Sequence, residues 1–302
     1  MQVQGIYVPI ITPFANDLSI DYDAYGKVLD WQIDNGTHGI IVGGSTGEFF
    51  SLSDDERKEQ LEFAAKRIDG RVPLVAGVND LLPDRIYAHT EIAKNAGADA
   101  LLVAAPPYIL PSQKELIGHV LKIDRIADLP IILYNYPGRT GINMEEEFLE
   151  RVAQSRNVVA IKESSGDIDR MHMIAREFPQ LQLSAGAEHQ VLEFFAWGAT
   201  SWVSVVANFF TVEARRFYEI CVEEGDFVTG REIMKALLPL MLCLEMGGKF
   251  LQSVKYACEL MDRPGGEVRP PLKPMKKELR REVFQIIKTA KTTLTSILQN
   301  KA

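Results

Sequence analysis

The feature that most constrains this chain is an eightfold alternation of short, continuously apolar runs with longer amphipathic segments. The runs lie at residues 6–11, 39–42, 72–78, 100–104, 131–134, 158–161, 181–184 and 200–205. A strand wetted on one face alternates apolar and polar side chains. A continuous apolar run instead means burial on both faces, as in a parallel sheet covered by helices. The intervening segments, for example 54–68, 83–96, 112–127 and 144–153, have helical spacing. Two helix starts are marked chemically. Ser53-Asp-Asp-Glu56 and Ser112-Gln-Lys-Glu115 are capping boxes, in which hydroxyl and carboxylate satisfy free backbone N–H groups.

Eight such units form either a closed (β/α)8 barrel or a doubly wound open sheet. The open sheet usually carries a Gly-rich, dinucleotide-binding first turn. Here the first turn is Ile11-Thr-Pro-Phe14, so an α/β fold of the TIM-barrel type is expected over residues 1–225, as the catalytic domain. Strand signals then stop. Segments 231–247, 249–261 and 276–299 read as helices, interrupted by the Pro-rich stretch 263–274. Residues 226–302 are therefore expected to be a C-terminal helical extension that packs its apolar faces on the barrel.

Composition narrows the function. With 41 Asp+Glu against 33 Lys+Arg the formal charge is −8, the wrong sign for a nucleic-acid partner. The longest apolar stretches, such as 236–244, fall far short of the roughly 20 residues that span a bilayer, so no membrane partner is expected. Residues 1–6 have no basic region before an apolar one, which argues against a signal peptide and for a cytoplasmic location. Cys221, Cys243 and Cys258 are odd in number and lack a C-x-x-C spacing. The five histidines never fall at i, i+4 or beside a cysteine. Neither a disulfide framework nor a metal site is signalled.

In a barrel of this type the active site lies at the C-terminal ends of the strands. The residues there are Gly43-Gly-Ser-Thr-Gly-Glu48, Pro106-Pro-Tyr108, Tyr134-Asn-Tyr-Pro-Gly-Arg-Thr-Gly141, Ile161-Lys-Glu-Ser-Ser-Gly166, Ala185-Gly-Ala-Glu188 and Ala207-Asn208. Lys162 is the sharpest signal among them. An amine nucleophile needs its pKa to fall from about 10.4 to about 7, worth roughly 4–5 kcal/mol, which burial and a nearby Arg139 would supply. A lysine ending a strand is more often simply solvated; the polar cluster on the same rim argues for catalysis. Gly43-Gly-Ser-Thr-Gly47 formally matches a G-x-S-x-G nucleophile elbow, which makes a serine hydrolase using Ser45 the remote alternative. The elbow requires a helix to begin at once, whereas the helix signal waits until Ser53. The same turn offers N–H donors to a carboxylate. Tyr108 and Tyr134 are rim packing or proton carriers, and Arg139 suits bidentate capture of a carboxylate. The turns after the seventh and eighth runs lack a Gly-rich phosphate site, which disfavours a phosphorylated substrate.

G-S-T-G-E-F, Y-N-Y-P-G-R-T-G and I-K-E-S-S-G, with Arg269-Pro-Pro-Leu272 near the end, resemble the dihydrodipicolinate synthase/N-acetylneuraminate lyase family over nearly the whole chain. The resemblance implies a cytoplasmic, cofactor-independent homotetramer, a dimer of dimers. It implies a Schiff base between Lys162 and pyruvate or another 2-oxo acid, with Tyr134 as acid/base above the imine. Ser45 and Tyr108 would complete a hydroxyl relay, Tyr108 reaching in from a neighbouring subunit. Ser45 and Thr46 would hold the pyruvate carboxylate, Val203 would offer its carbonyl beside the imine, and Gly186 would line the substrate site. Arg139 in its P-G-R-T-G setting is as in the synthases of lysine biosynthesis, which condense pyruvate with aspartate semialdehyde. Ser45 in place of threonine is more typical of the lyase-like relatives, and Pro107 beside Tyr108 and Ala187-Glu188 in place of an acidic pair depart from the family pattern where the second substrate and part of the dimer contact are set. Synthase activity is the expectation, and a sugar-acid aldolase or dehydratase the alternative.

Overall fold

The computed structural model describes residues 1–301. Eight parallel strands follow one another in chain order: β1 (Gly5–Pro9), β2 (Gly39–Val42), β3 (Leu74–Gly77), β4 (Ala100–Ala104), β5 (Ile131–Asn135), β6 (Val158–Glu163), β7 (Gln182–Ala185) and β8 (Ser201–Val203). β1 pairs with both β2 and β8, and the pairs Gly5↔Ser201, Ile6↔Trp202 and Tyr7↔Val203 close the sheet on itself. This is the (β/α)8 barrel expected from the alternation.

Closure explains the continuous runs. Tyr7, Ile41, Val75, Leu102, Ile132, Ala160 and Val203 fill the barrel interior. Their chain neighbours Ile6, Val8, Ile40, Leu101, Val103, Leu133 and Ile161 face the helices. Neither face of a strand sees water, so no polar alternation survives.

The strand ends differ from the apolar runs in an instructive way. The first run stops pairing as a strand at Pro9, two residues early, and the eighth ends at Val203. β5 and β6 instead continue beyond their runs, because Tyr134↔Lys162 and Asn135↔Glu163 prolong the ladder with polar side chains. Lys162 thus lies within β6 rather than after it.

The helices between strands are α1 (Tyr22–Asp34), α2 (Asp54–Ile68), α3 (Pro83–Asn95), α4 (Gln113–Ala127), the single turn α5 (Pro137–Thr140), α6 (Glu146–Val152), α7 (Ile168–Glu177), α8 (Val191–Ala196) and α9 (Thr211–Tyr218). Both capping boxes form, Ser53 with Glu56 and Ser112 with Glu115. Each hydroxyl cap contributes about 1 kcal/mol to fixing where its helix begins.

Three more helices follow: α10 (Phe227–Met246), α11 (Phe250–Leu260) and α12 (Lys277–Lys301). α10 starts four residues before the expected 231, because Asp226 accepts from the N–H groups of Val228 and Thr229. α12 buries Val283, Ile287, Ala290 and Leu294, a helical stripe turned onto α10 and α11. α10 in turn rests on α8 and on the turn Glu188–Gln190 at the barrel mouth.

The segment between α11 and α12 returns to the start of the chain. Glu267 bridges Phe14, and Arg269 donates to the carbonyls of Leu18 and Ser51 while pairing with Glu56 at 2.5 Å. Lys255 of α11 pairs with Glu48 at 2.5 Å, the side chains only 2% and 0% exposed. Among the described residues, no helix is long and apolar enough to cross a membrane.

Candidate active site

β6 carries two opposed functions on consecutive residues. Glu163 turns away from the barrel axis and is locked by Arg170 at 2.9 Å, by Asn135 Nδ2 at 2.9 Å and by the N–H of Ser165 at 2.7 Å. That network anchors the strand end. Lys162 turns inward, 7% exposed, its Nζ 3.9 Å from the centroid of the Tyr134 ring. Burial lowers its pKa from 10.5 to about 8, against the opposing carboxylates of Glu245 and Glu188 and the phenol of Tyr136. The shift is about 3 kcal/mol against the charged form, so about a tenth of the amine is neutral at pH 7, against well under a thousandth for an unshifted lysine. Desolvation does this; the contribution expected from Arg139 does not figure among its causes.

Tyr134, paired across the ladder with Lys162, is buried beside it. Burial and Glu245 push its phenol well above the usual range, while the neighbouring hydroxyls of Ser45 and Ser164 and the charge of Arg139 pull it back. A proton held that firmly on an oxygen flanked by hydroxyls suits a group that donates only to a strong base, such as a nascent alkoxide.

Ser45 and Thr46 open a 3-10 turn, Ser45–Gly47, directly after β2. Glu48 closes it in the left-handed region (φ 58°), its N–H donating to the carbonyl of Ser45. Thr12 Oγ1 donates to the carbonyl of Gly47 at 2.7 Å and accepts from Gln60 at 2.6 Å. A second 3-10 turn, Phe49–Ser51, intervenes before α2. The strand–serine–helix geometry of a nucleophile elbow is therefore not what this turn adopts.

Gly186 sits against Lys162: a Cβ there would lie 2.0 Å from Ser164 Oγ and 2.8 Å from Lys162 Cγ. Val203 is the buried last residue of β8. Arg139, on α5, is exposed at the rim, its guanidinium 5.9 Å from the Tyr136 ring centroid.

The chain therefore brings Lys162, Tyr134, Ser45, Thr46, Gly186, Val203 and Arg139 to one end of the barrel. Tyr108 does not join them. It is 87% exposed at φ 75°, at the tip of an apolar patch with Ile109 and Leu110.

Three further groups bear on the electrostatics of the mouth. Glu188 is 1% exposed and accepts from the N–H groups of Val205 and Val206 through Oε1, leaving Oε2 without a partner; burial raises its pKa to about 8. Tyr136 was legible only as a motif letter. Glu245, half-buried in the last turn of α10, is the leading charge acting on Lys162, Tyr134 and Tyr136. A lone acid inside the apolar run 236–246 is the one clue the sequence offered.

Away from the mouth, Asp54, Asp80 and His89 bring potential metal-ligand atoms within 4.8 Å of one another. Their charges are already matched, Arg57 to Asp80 at 3.2 Å and Arg85 to Asp54 at 3.4 Å. A cation there would meet two guanidiniums.

A closed (β/α)8 barrel with a buried, partly deprotonated lysine at its mouth is the architecture of a class I aldolase or lyase. Residues 2–290 match the dihydrodipicolinate synthetase family, and the chain belongs to that family, an enzyme of the lysine-dependent lyase type. It is 36% identical over 278 residues to the 4-hydroxy-tetrahydrodipicolinate synthase of Syntrophobacter fumaroxidans, covering 90% of this chain and 93% of that one. It is 34% identical to the enzyme of the same name from Neisseria gonorrhoeae, covering 90% and 94%. Among solved structures, the dihydrodipicolinate synthase of Aquifex aeolicus aligns with a TM-score of 0.88 at 33% identity, covering 94% and 97%. The 4-hydroxy-tetrahydrodipicolinate synthase of Methylacidiphilum fumariolicum aligns with a TM-score of 0.92 at 29% identity, covering 99% of both chains.

Proposed function

We propose that the chain condenses pyruvate with aspartate semialdehyde through a Schiff base on Lys162, as a 4-hydroxy-tetrahydrodipicolinate synthase. The observation that carries this reading is the buried Lys162 amine with its lowered pKa beside Tyr134. The neutral amine adds to the pyruvate carbonyl, and loss of water forms the imine. Its protonated nitrogen draws electrons from the methyl C–H bond; loss of that proton gives an enamine, whose carbon attacks the aldehyde. Tyr134 protonates the resulting alkoxide; the amine of the bound aldehyde then adds to the iminium carbon, its proton passes to the lysine nitrogen, and expulsion of neutral Lys162 closes the product ring and the cycle. Ser45 and Thr46 hold the pyruvate carboxylate at their turn, the Val203 carbonyl and Gly186 line the imine side, and Arg139 receives the carboxylate of the aldehyde.

Tyr108, too exposed to serve its own site, fits a relay completed across a subunit contact in a homotetramer built from dimers. The same reading takes 1–225 as the catalytic barrel and 226–302 as an extension packed on it, supported by the seating of α10 on the 188–190 turn. A cytoplasmic location goes with it.

Borohydride reduction in the presence of pyruvate tests the reading. It should inactivate the enzyme and add a reduced pyruvyl mass to Lys162. Arg139→Ala should leave that trapping intact while lowering kcat/KM for aspartate semialdehyde roughly 30- to 1000-fold. Trapping at any other residue sinks the mechanism. Wild-type protein that traps pyruvate and ignores aspartate semialdehyde, yet cleaves a 2-keto-3-deoxy sugar acid, sinks the choice of second substrate.

A further inference from the structure

The mouth holds more acidic side chains than the proposed chemistry uses. Glu245 reaches it from α10, the helix resting on the 188–190 turn, and interacts through space with Lys162, His189 and Arg139. Around the barrel, β5 with its Arg139 loop lies on one side of β6, and β7 with the 188–190 turn lies on the other. Lys162 therefore stands between a cationic flank and an acidic one, on which burial raises both carboxyls and keeps Glu188 mostly protonated near neutrality. The acidic flank is also short of partners. Glu188 Oε2, in a side chain 1% exposed, has none, and neither do His189 Nδ1 or Gln190 Oε1. Buried polar atoms left unpaired cost about 1–3 kcal/mol each, so a wall carrying several is shaped for a ligand that supplies the missing groups.

We propose that Glu245 is a specificity-determining residue, which receives from α10 the hydrogen-bond donor borne by the incoming aldehyde while Arg139 receives its carboxylate. The donor is an ammonium or a hydroxyl on the carbon chain, and an acidic wall suits either. The inference rests on the proposed pyruvate–aldehyde condensation and adds the recognition of the second reactant. In aspartate semialdehyde the carboxylate and the ammonium sit on one carbon, so a guanidinium on one flank and the Glu245 carboxyl on the other read both groups at once. Succinate semialdehyde keeps the aldehyde and the carboxylate but lacks the ammonium.

The test is Glu245→Gln in the full-length enzyme, compared on these two aldehydes. Pyruvate trapping at Lys162 should be unchanged or faster, because removing a carboxylate eases deprotonation of the amine; this also reports a folded site. kcat/KM for aspartate semialdehyde should fall roughly 10- to 100-fold, the worth of a hydrogen bond to a charged group. The fall for succinate semialdehyde should be less than about 3-fold, and Glu245→Asp should recover part of the loss. Equal losses on both aldehydes, or none on either, overturn the assignment. If the wild type accepts neither, the proposed second substrate fails separately, and glyceraldehyde against propionaldehyde becomes the deciding pair. A selective loss on the hydroxylated aldehyde supports Glu245 as the anchor, and an unselective one overturns it.

Discussion

Removing the charge of Lys255 should destabilise the fold out of proportion to one side chain. Lys255→Met keeps most of the volume but leaves the Glu48 carboxylate, 0% exposed, without its cation at 2.5 Å. It also deletes the donor to the Glu267 carbonyl and the ammonium lying 4.4 Å from the Phe14 ring centroid. Breaking a buried pair by removing one partner costs about 3–5 kcal/mol, because the survivor's desolvation is no longer offset. Against a total stability of about 5–15 kcal/mol, this is a large fraction. It should lower the melting temperature by roughly 5–8 °C. Urea titration by circular dichroism should show a lower midpoint with little change in slope.

The double variant Lys255→Met/Glu48→Gln buries no net charge and should regain more than half of the loss. The functional readout is KM for pyruvate, because Glu48 closes the turn that presents Ser45 and Thr46. It should rise in the single variant and partly recover in the double. A single variant as stable as wild type, or a double variant no better than the single, would refute the argument that an orphaned carboxylate dominates the cost.

Tyr134→Phe should fold and still trap pyruvate, yet lose about 10²–10⁴ in kcat, the usual worth of a positioned acid; a near-normal turnover number would place the proton elsewhere. Gly186→Ala should slow trapping, since the new methyl meets Ser164 Oγ at 2.0 Å and Lys162 Cγ at 2.8 Å; unchanged trapping kinetics would show that the wall yields. The trapping rate at saturating borohydride should rise with pH and level off above about 8, as the Lys162 amine deprotonates, whereas an unshifted lysine would still be climbing beyond 10. The lowered pKa also carries a stability sign. The folded state sheds this proton before the unfolded chain does, so the penalty of burying Lys162 is full below about pH 8 and fades between there and 10.5.

The barrel was legible because burial on both strand faces writes an unbroken apolar signature, and the mouth because its polar residues interrupt it. Lys162, Tyr134 and Ser45 could be found that way since each stands at the end of such a run or within three residues of it. Glu245 could not. It belongs to a helix that begins 65 residues after Lys162, and only the packing of α10 on the 188–190 turn brings the two together. Lys255 and Glu48 were invisible for the same reason: neither has a local partner, and their pairing exists only once the chain has closed. The strand ends at Asn135 and Glu163 were misjudged because apolarity tracks burial, whereas a ladder continues wherever backbone partners remain.

The return of residues 255–269 to the β2–α2 region has a consequence for the order of events during synthesis. Arg269 contacts Leu18 across 251 positions and Glu56 across 213. A ribosome adding about 5–20 residues per second therefore leaves the Ser45–Thr46 turn without its final fastening for about 3–13 seconds after all eight strands have emerged. Contacts so distant in sequence also form late, after the loop-closure entropy has been met by local structure. Nascent or truncated chains ending before Lys255 should accordingly contain a barrel with an unfastened anion-binding turn. Pyruvate binding should thus be acquired only once the chain from Lys255 onward, roughly its last sixth, has been made.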